Sequence, residues 1–229
     1  MTQDRPDSSR PKFFGRRKGR ALNPTQQRIL DDRLPAFAVD PGALPADPTA
    51  LFDGAIRDLW LEVGFGSGEH LVSQAERHPD IGFLGCEPFI NGVAKVVRDA
   101  DAAGLRNVKV LADDARLLLD ALPDGCLGRA YILFPDPWPK KRHRLRRFVG
   151  PENLPRLARL LRPGAELRCA TDHPDYLDWM LYQVGRHDAF DWLAAGPKDW
   201  RERWDDHIPT RYETKALAGR PSYLRFRRV

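Results

Sequence analysis

From residue 58 onward the chain alternates short apolar runs with longer segments of helical periodicity. Runs at 58–63, 81–86, 107–111, 129–134 and 165–171 have the length and the β-branched or aromatic content of buried strands. Segments at 68–77, 89–103, 114–120, 151–161 and 174–187 keep apolar residues on one helical face between them. This strict alternation predicts a parallel sheet with helices on both faces. The final stretch breaks the rhythm. Residues 190–193 are strand-like, a tryptophan-rich loop and helix follow, and 223–229 alternates as a last strand. No crossover helix precedes that strand, so antiparallel entry is expected.

Ahead of this region the pattern is weaker. Residues 1–20 hold Pro, Ser, Gly and seven basic residues (Arg5, Arg10, Lys12, Arg16, Arg17, Lys18 and Arg20). They read as a disordered basic arm, either a solubilising tail or an electrostatic tether for nucleic acid. Asn23 and Pro24 open a short helix to about Arg33, the cap followed by a first-turn proline. A Pro/Gly-rich connection then runs to about Pro48, so 21–48 forms a helix and connection and 49–229 the main domain.

Composition narrows the class. The 229 residues suit one globular domain with extensions. No apolar stretch approaches the roughly 18 residues of a membrane span, and no secretory signal is evident. Cys86, Cys126 and Cys169 are dispersed without zinc-ligand spacing, which predicts a reducing cytoplasm and no metal. The net charge of +5 is unevenly placed, with positive charge at the amino end, in 140–147 and at the carboxyl end. Such clustering points to a polyanionic partner.

The first strand runs into Gly64-Phe65-Gly66-Ser67-Gly68-Glu69. Glycines there permit a tight turn and let a ligand approach the backbone N–H groups of Gly64, Gly66 and Gly68. Dinucleotide-binding proteins use the same device, but their pattern needs Gly or Ala where Glu69 stands. Glu62, two residues ahead of the turn, adds a second carboxylate. Two acids disfavour a pyrophosphate and suit a ligand with an ammonium and a sulfonium, S-adenosylmethionine. Glu87 ends the second strand and is placed either to accept two ribose hydroxyls or to cap the next helix. Asp113 and Asp114 follow the third strand; one of them contacts the adenine amino group, or caps a helix.

Residues 134–147 read Phe-Pro-Asp-Pro-Trp-Pro-Lys-Lys-Arg-His-Arg-Leu-Arg-Arg. Asp136 falls at the carboxyl end of a buried strand, where open α/β sheets bind ligands. Pro135, Pro137 and Pro139 restrict the backbone, presenting Asp136 and Trp138 at low ordering cost. Lys140, Lys141, Arg142, Arg144, Arg146 and Arg147 form a cluster suited to phosphates. Trp138 either stacks on a base or packs beneath the loop.

These motifs resemble those of the bacterial tRNA (guanine-N7-)-methyltransferases of the TrmB type. The matching residues are Leu-Glu-Val-Gly-Phe-Gly-Ser-Gly-Glu-His (61–70), Glu87-Pro88, Asp114-Ala115 and 134–143. Thr171-Asp172, Thr210-Arg211-Tyr212-Glu213 and Lys215-Ala216 complete the set, covering about residue 49 to the end. The resemblance implies a Rossmann-like class I methyltransferase fold: α/β, a mostly parallel seven-stranded sheet, an antiparallel last strand and helices on both faces. It implies methyl transfer from S-adenosylmethionine to N7 of guanosine 46 in the tRNA variable loop, with S-adenosylhomocysteine as product. Glu62, Glu87, Asp114 and Asp136 would line the donor site, Asp136 being also the leading catalytic candidate. Lys140, Asp172, Thr210, Arg211, Tyr212 and Glu213 would contact tRNA, with Arg142 and Arg144 added by the basic run. A monomer or homodimer working on tRNA, without membrane or metal, is the expectation.

Guanine N7 carries an exposed lone pair, so its methylation needs positioning and desolvation rather than a base. The absence of an evident Ser–His, Cys–His or metal constellation agrees with that. The six histidines are scattered and read as surface or helix-end residues, and Trp179, Trp192, Trp200 and Trp204 as packing for the carboxy-terminal half. Three other readings compete. They are an exocyclic-amine nucleic-acid N-methyltransferase, a catalytically silent RNA-binding protein on the same fold, and an NAD-linked oxidoreductase, which Glu62 and Glu69 disfavour.

Overall fold

The computed structural model describes residues 13–210, 213–214 and 218–229. Its strands are β1 (Asp58–Val63), β2 (Ile81–Cys86), β3 (Val108–Leu111), β4 (Leu127–Leu133), β5 (Leu161–Thr171), β6 (Phe190–Trp192) and β7 (Ser222–Arg228). They form one sheet in the order β3-β2-β1-β4-β5-β7-β6. The first five pair in parallel, and β7 inserts antiparallel between β5 and β6. The expected topology, antiparallel last strand included, is the one observed. Because β1 leads outward to β2 and β3 while β4 returns to its other side, the chain reverses between β1 and β4. A crevice opens there at the carboxyl ends of the strands.

The helices are α1 (Pro24–Asp32), α2 (Leu34–Phe37), α3 (Glu69–Arg77), α4 (Ile90–Ala102), α5 (Ala115–Ala121), α6 (Leu154–Leu160), α7 (Pro174–Gly185) and α8 (Lys198–Arg201). Strand alternation divides the core in two. Leu59, Leu61, Val63, Ala130 and Ile132 pack with Leu118, Leu157 and Met180 of α5, α6 and α7. Trp60, Phe83 and Tyr131 point the other way, onto Leu71 of α3 and Val93 and Val97 of α4. Helices therefore cover both faces. No helix among the described residues is long and apolar enough to cross a membrane.

Local signals explain most boundaries. Asn23 closes a capping box on α1, accepting from the Gln26 N–H at 2.8 Å while Gln26 accepts from its N–H at 3.1 Å. Three places depart from the expected boundaries. The helix expected over 151–161 spans only Leu154–Leu160, and β5 begins at once. Its register slips between the Leu127–Leu161 and Arg129–Glu166 pairs, where Gly164 takes a left-handed φ of 83°. Phe134, expected as the last residue of β4, lies beyond it with a left-handed φ of 49°. Of the arm expected to be disordered, 1–12 lies outside the described residues, and 13–20 instead lies along α4. The Arg17 carbonyl accepts from the Ile90 N–H at 3.2 Å, and Asn91 bonds both Gly19 and Arg20. The aromatic side chains of Phe13 and Phe14 give this stretch a purchase that its basic composition concealed.

Candidate active site

The crevice between β1 and β4 holds a cavity of about 350 Å³. Gly64 and Gly66 form one wall, Glu87 and Phe89 a second, and Asp114 the floor near α5. Phe134, Asp136 and Trp138 form the opposite wall, and Phe13, Phe14 and Arg16 cross the mouth.

The glycine turn is shaped by conformation and by space. Gly64, Gly66 and Gly68 all have left-handed φ, at 73°, 56° and 75°. A Cβ at Gly68 would stand 1.9 Å from Val96 Cγ2, so α4 presses directly on the turn. The turn is tied to β2 by Glu87, whose Oε2 accepts from the Gly66 N–H at 2.8 Å. Its Oε1 accepts from the Phe89 N–H at 2.9 Å. Burial raises the Glu87 pKa; these two donors oppose the rise, and the negative charges of Asp136 and Glu62 add to it. The acids crowd one another, a field that favours a cation.

Asp136 is the least satisfied of them. Among the described residues its carboxylate has no hydrogen-bond or ion-pair partner, and burial alone pushes its pKa upward. The carboxylate is reached by solvent through the cavity mouth, while the surrounding protein still raises the cost of its charge. The loop that carries it is strained. Phe134 and Trp138, two residues to either side, both have left-handed φ, at 49° and 42°. Each costs about 1 kcal/mol, held in place by the surrounding structure.

Of the two acids after β3, Asp114 lines the cavity. It caps α5, accepting from the Arg116 N–H at 3.0 Å, and pairs with the Arg116 guanidinium at 2.7 Å. Asp113 turns outward to Arg17 at 2.7 Å.

Glu62 does not line this cavity. It shares the face of Trp60, so strand parity turns it toward the start of α3 rather than into the crevice. There its Oε2 meets His70 Nδ1 at 2.8 Å, both side chains buried. His70 in turn packs against Tyr131, with ring centroids 4.7 Å apart, and against His207 at 5.4 Å.

His207 belongs to the segment bearing the expected tRNA contacts. Its Nε2 lies 2.9 Å from Glu213 Oε2, and the Glu213 carboxylate also accepts from Arg203 and the Tyr223 hydroxyl. Burial works against ionisation of Glu213, yet the donors Tyr223, His207 and Arg203 together hold its pKa below the ordinary value. Glu213, expected as a tRNA contact, is buried in this structure and anchors the segment. Thr210 stays beside it, its Oγ1 accepting from the Glu213 N–H at 3.3 Å. The segment is fastened further by Asp206, which pairs with Arg168 at 2.7 Å and Arg129 at 3.2 Å. Asp172 accepts from the Ala218 N–H at 3.1 Å. Arg211, Tyr212, Lys215 and Ala216 lie outside the described residues. Thr210, Glu213 and Asp172 stand apart from the cavity lining, and Glu213 is linked through His207 to His70.

The basic run divides into three sets. Lys140, Lys141 and Arg142 are exposed, and Arg142 donates to its neighbour His143 at 3.3 Å. Arg144 pairs with Asp175. Arg147 does not join a phosphate-binding face, contrary to expectation. It is fully buried over Tyr176 and Trp179, and it bonds Asp175 and, at 2.7 Å, the Pro137 carbonyl. That bond pins the loop bearing Asp136. Arg146 lies over two rings, 4.2 Å from the centroid of Phe14 and 5.1 Å from that of Trp138.

His70 and His207 are buried rather than at the surface, the main departure from the expected histidines. His70, in the first turn after the glycines and eight residues from an acid, was the one with a readable signal. Trp179, Trp200 and Trp204 pack into the core as expected, whereas Trp192 is exposed.

Comparison with known proteins agrees with this geometry. A family model described as a putative methyltransferase matches residues 57–223. A tRNA (guanine-N(7)-)-methyltransferase of Rhodospirillum rubrum is 51% identical over 223 residues, covering 95% of this chain and 88% of its own. One of Ruegeria pomeroyi is 51% identical over 238 residues, covering 100% of this chain and 99% of its own. Among solved structures, the 16S rRNA methyltransferase KamB superposes with a TM-score of 0.58 at 18% identity, over 82% of this chain and 95% of that one. A mutant of the 16S rRNA (adenine(1408)-N(1))-methyltransferase from Catenulisporales acidiphilia, with cosubstrate SAM, gives 0.52 at 16% identity, over 82% and 92%. These two structures share the fold.

Proposed function

The chain belongs to the tRNA (guanine-N(7)-)-methyltransferase family, and on that premise we propose that it methylates N7 of guanosine 46 in the variable loop of tRNA. The methyl donor is S-adenosylmethionine, and the expected compartment is the cytoplasm. When bound, the donor supplies a methyl group already activated by its sulfonium.

The observation that carries the reading is the meeting of Glu87, Asp114 and the unpartnered Asp136 around one cavity beside a glycine turn. These groups fit the donor. Glu87 would accept from the ribose hydroxyls and Asp114 from the adenine amino group. The combined field of Glu62, Glu87 and Asp136 favours a cationic ligand over a pyrophosphate.

The rest of the work falls to positioning. Guanine N7 attacks through a lone pair, and no proton leaves it, so no general base is required. Asp136 accepts from the N1–H and amino group of the guanine edge, which places N7 and offsets the positive charge gained by the ring. Arg147 and the left-handed residues Phe134 and Trp138 hold the Asp136 loop at its angle. Lys140, Lys141 and Arg142 offer charge to the tRNA backbone.

Purified protein, unmodified tRNA and methyl-labelled S-adenosylmethionine test the reading, followed by strand cleavage selective for 7-methylguanosine. Label at a single cleavage site in the variable loop is expected. Label on an exocyclic amine, or none at all, would overturn it.

A further inference from the structure

The Phe14 and Trp138 rings and the Arg146 guanidinium form a unit with no part in the reaction as described, where Trp138 serves through its backbone alone. The two rings approach edge to face, with centroids 6.3 Å apart, at the mouth of the cavity that holds Asp136. The Arg146 guanidinium lies over both. Among the described residues it forms no ion pair, so the rings are its main company. His143 completes the surround, edge-on to Trp138 with centroids 5.9 Å apart. A planar, delocalised cation thus rests on two aromatic faces, one of them two residues from the carboxylate that reads the base.

Methylation at N7 turns neutral guanine into such a cation, flat and charged across its imidazole ring. Aromatic faces attract cations, and the attraction grows when water is excluded. We propose that Phe14 and Trp138 are the two-ring site of the target purine, with Arg146 as the resident cation that holds the site until RNA arrives. The proposal rests on the methyltransferase reading and adds to it a specificity-determining residue, Phe14, from outside the main domain. On RNA binding, Arg146 leaves the rings for a backbone phosphate and the base takes its place. The slot then favours the charged, methylated ring over the neutral one, so it stabilises charge as it develops. Return of Arg146 to the rings competes with the product and helps release it.

The test uses mononucleotides, so that phosphate contacts along tRNA do not mask the slot. The full chain saturated with S-adenosylhomocysteine is titrated with 7-methylguanosine 5′-monophosphate and with guanosine 5′-monophosphate by ligand-observed NMR. Wild type should bind the methylated nucleotide about fivefold more tightly. Phe14→Leu, on an exposed strap where folding is not at stake, should bring the ratio close to one. Arg146→Gln should tighten both nucleotides by emptying the rings. Equal affinities in wild type, a ratio unchanged in Phe14→Leu, or no gain in Arg146→Gln would each overturn the proposal. Labelled-methyl transfer to tRNA by the same wild-type preparation separates the two levels. Transfer to guanine N7 with an affinity ratio of one leaves the activity standing and removes the slot. Absence of transfer removes both.

Discussion

Glu62 and His70 form a buried pair, Oε2 to Nδ1 at 2.8 Å, that joins the end of β1 to the first turn of α3 behind the glycine loop. Through ring contact with His207, the pair reaches the Glu213 anchor of the carboxy-terminal segment. Two acid–imidazole pairs thus sit back to back, joining β1 and α3 to the segment carrying Thr210. Their burial makes them structural supports beneath the glycine turn and the carboxy-terminal segment.

Removing His70 tests that support. His70→Ala leaves the Glu62 carboxylate buried without its donor, which should cost about 2 kcal/mol of stability. Urea melts should register the loss. Glu62→Gln should weaken S-adenosylmethionine binding in calorimetry, because a negative charge near Glu87 is gone.

Asp136→Asn should separate stability from activity. The Asp136 pKa is raised by burial, so between the ordinary value of 3.8 and the raised one the folded state binds more protons than the unfolded. Stability therefore falls as pH rises through that window, and the cost is complete above the raised value. The variant should melt slightly higher at neutral pH, the gain fading below the ordinary carboxylate range. Turnover should drop roughly 100-fold with tRNA affinity little changed. Unchanged single-turnover methylation would remove Asp136 from its role.

Glu213 has the opposite pH signature. Its pKa is lowered from 4.5, so the stability it contributes is present above that value and is lost as pH falls through the depressed pKa. Glu213→Ala strands His207 and the Tyr223 hydroxyl and should cost about 3 kcal/mol. Acid titration of wild type against the variant, followed by circular dichroism, should show the difference closing at low pH.

The basic run should split by exposure. Alanine at Lys140, Lys141 or Arg142 should each lower the log–log salt slope of tRNA binding by about 0.7 where the contact is to single-stranded backbone. Arg147→Ala should leave the slope alone and cost about 2 kcal/mol, since its guanidinium is buried against Asp175 and Pro137. Filter binding across a salt series distinguishes them.

The sheet was legible because its evidence is local and repetitive. Apolar runs of strand length between amphipathic segments leave little choice but parallel pairing with crossover helices. The glycine turn, Glu87, Asp114 and Asp136 were legible for a related reason: each falls at the carboxyl end of a strand, and the fold sends those ends to one crevice. The charge run gave no such guidance. Adjacent arginines look alike in a sequence, and the presence of Asp175 beneath Arg144 and Arg147 depends on how α7 packs.

What the chain's sequence determined alone was therefore the architecture, the family and the acids around the cavity, since periodicity and strand-end position are properties of neighbours along the chain. Tertiary structure decided which side each group serves. Strand parity and the docking of α3 sent Glu62 to His70. The Tyr223 hydroxyl of β7 and the His207 ring met Glu213 in the interior. Hydrogen bonds to Ile90 and Asn91 of α4 brought residues 13–16 across the cavity mouth. Each outcome turns on contacts between distant segments, and no local pattern encodes which partner will be there.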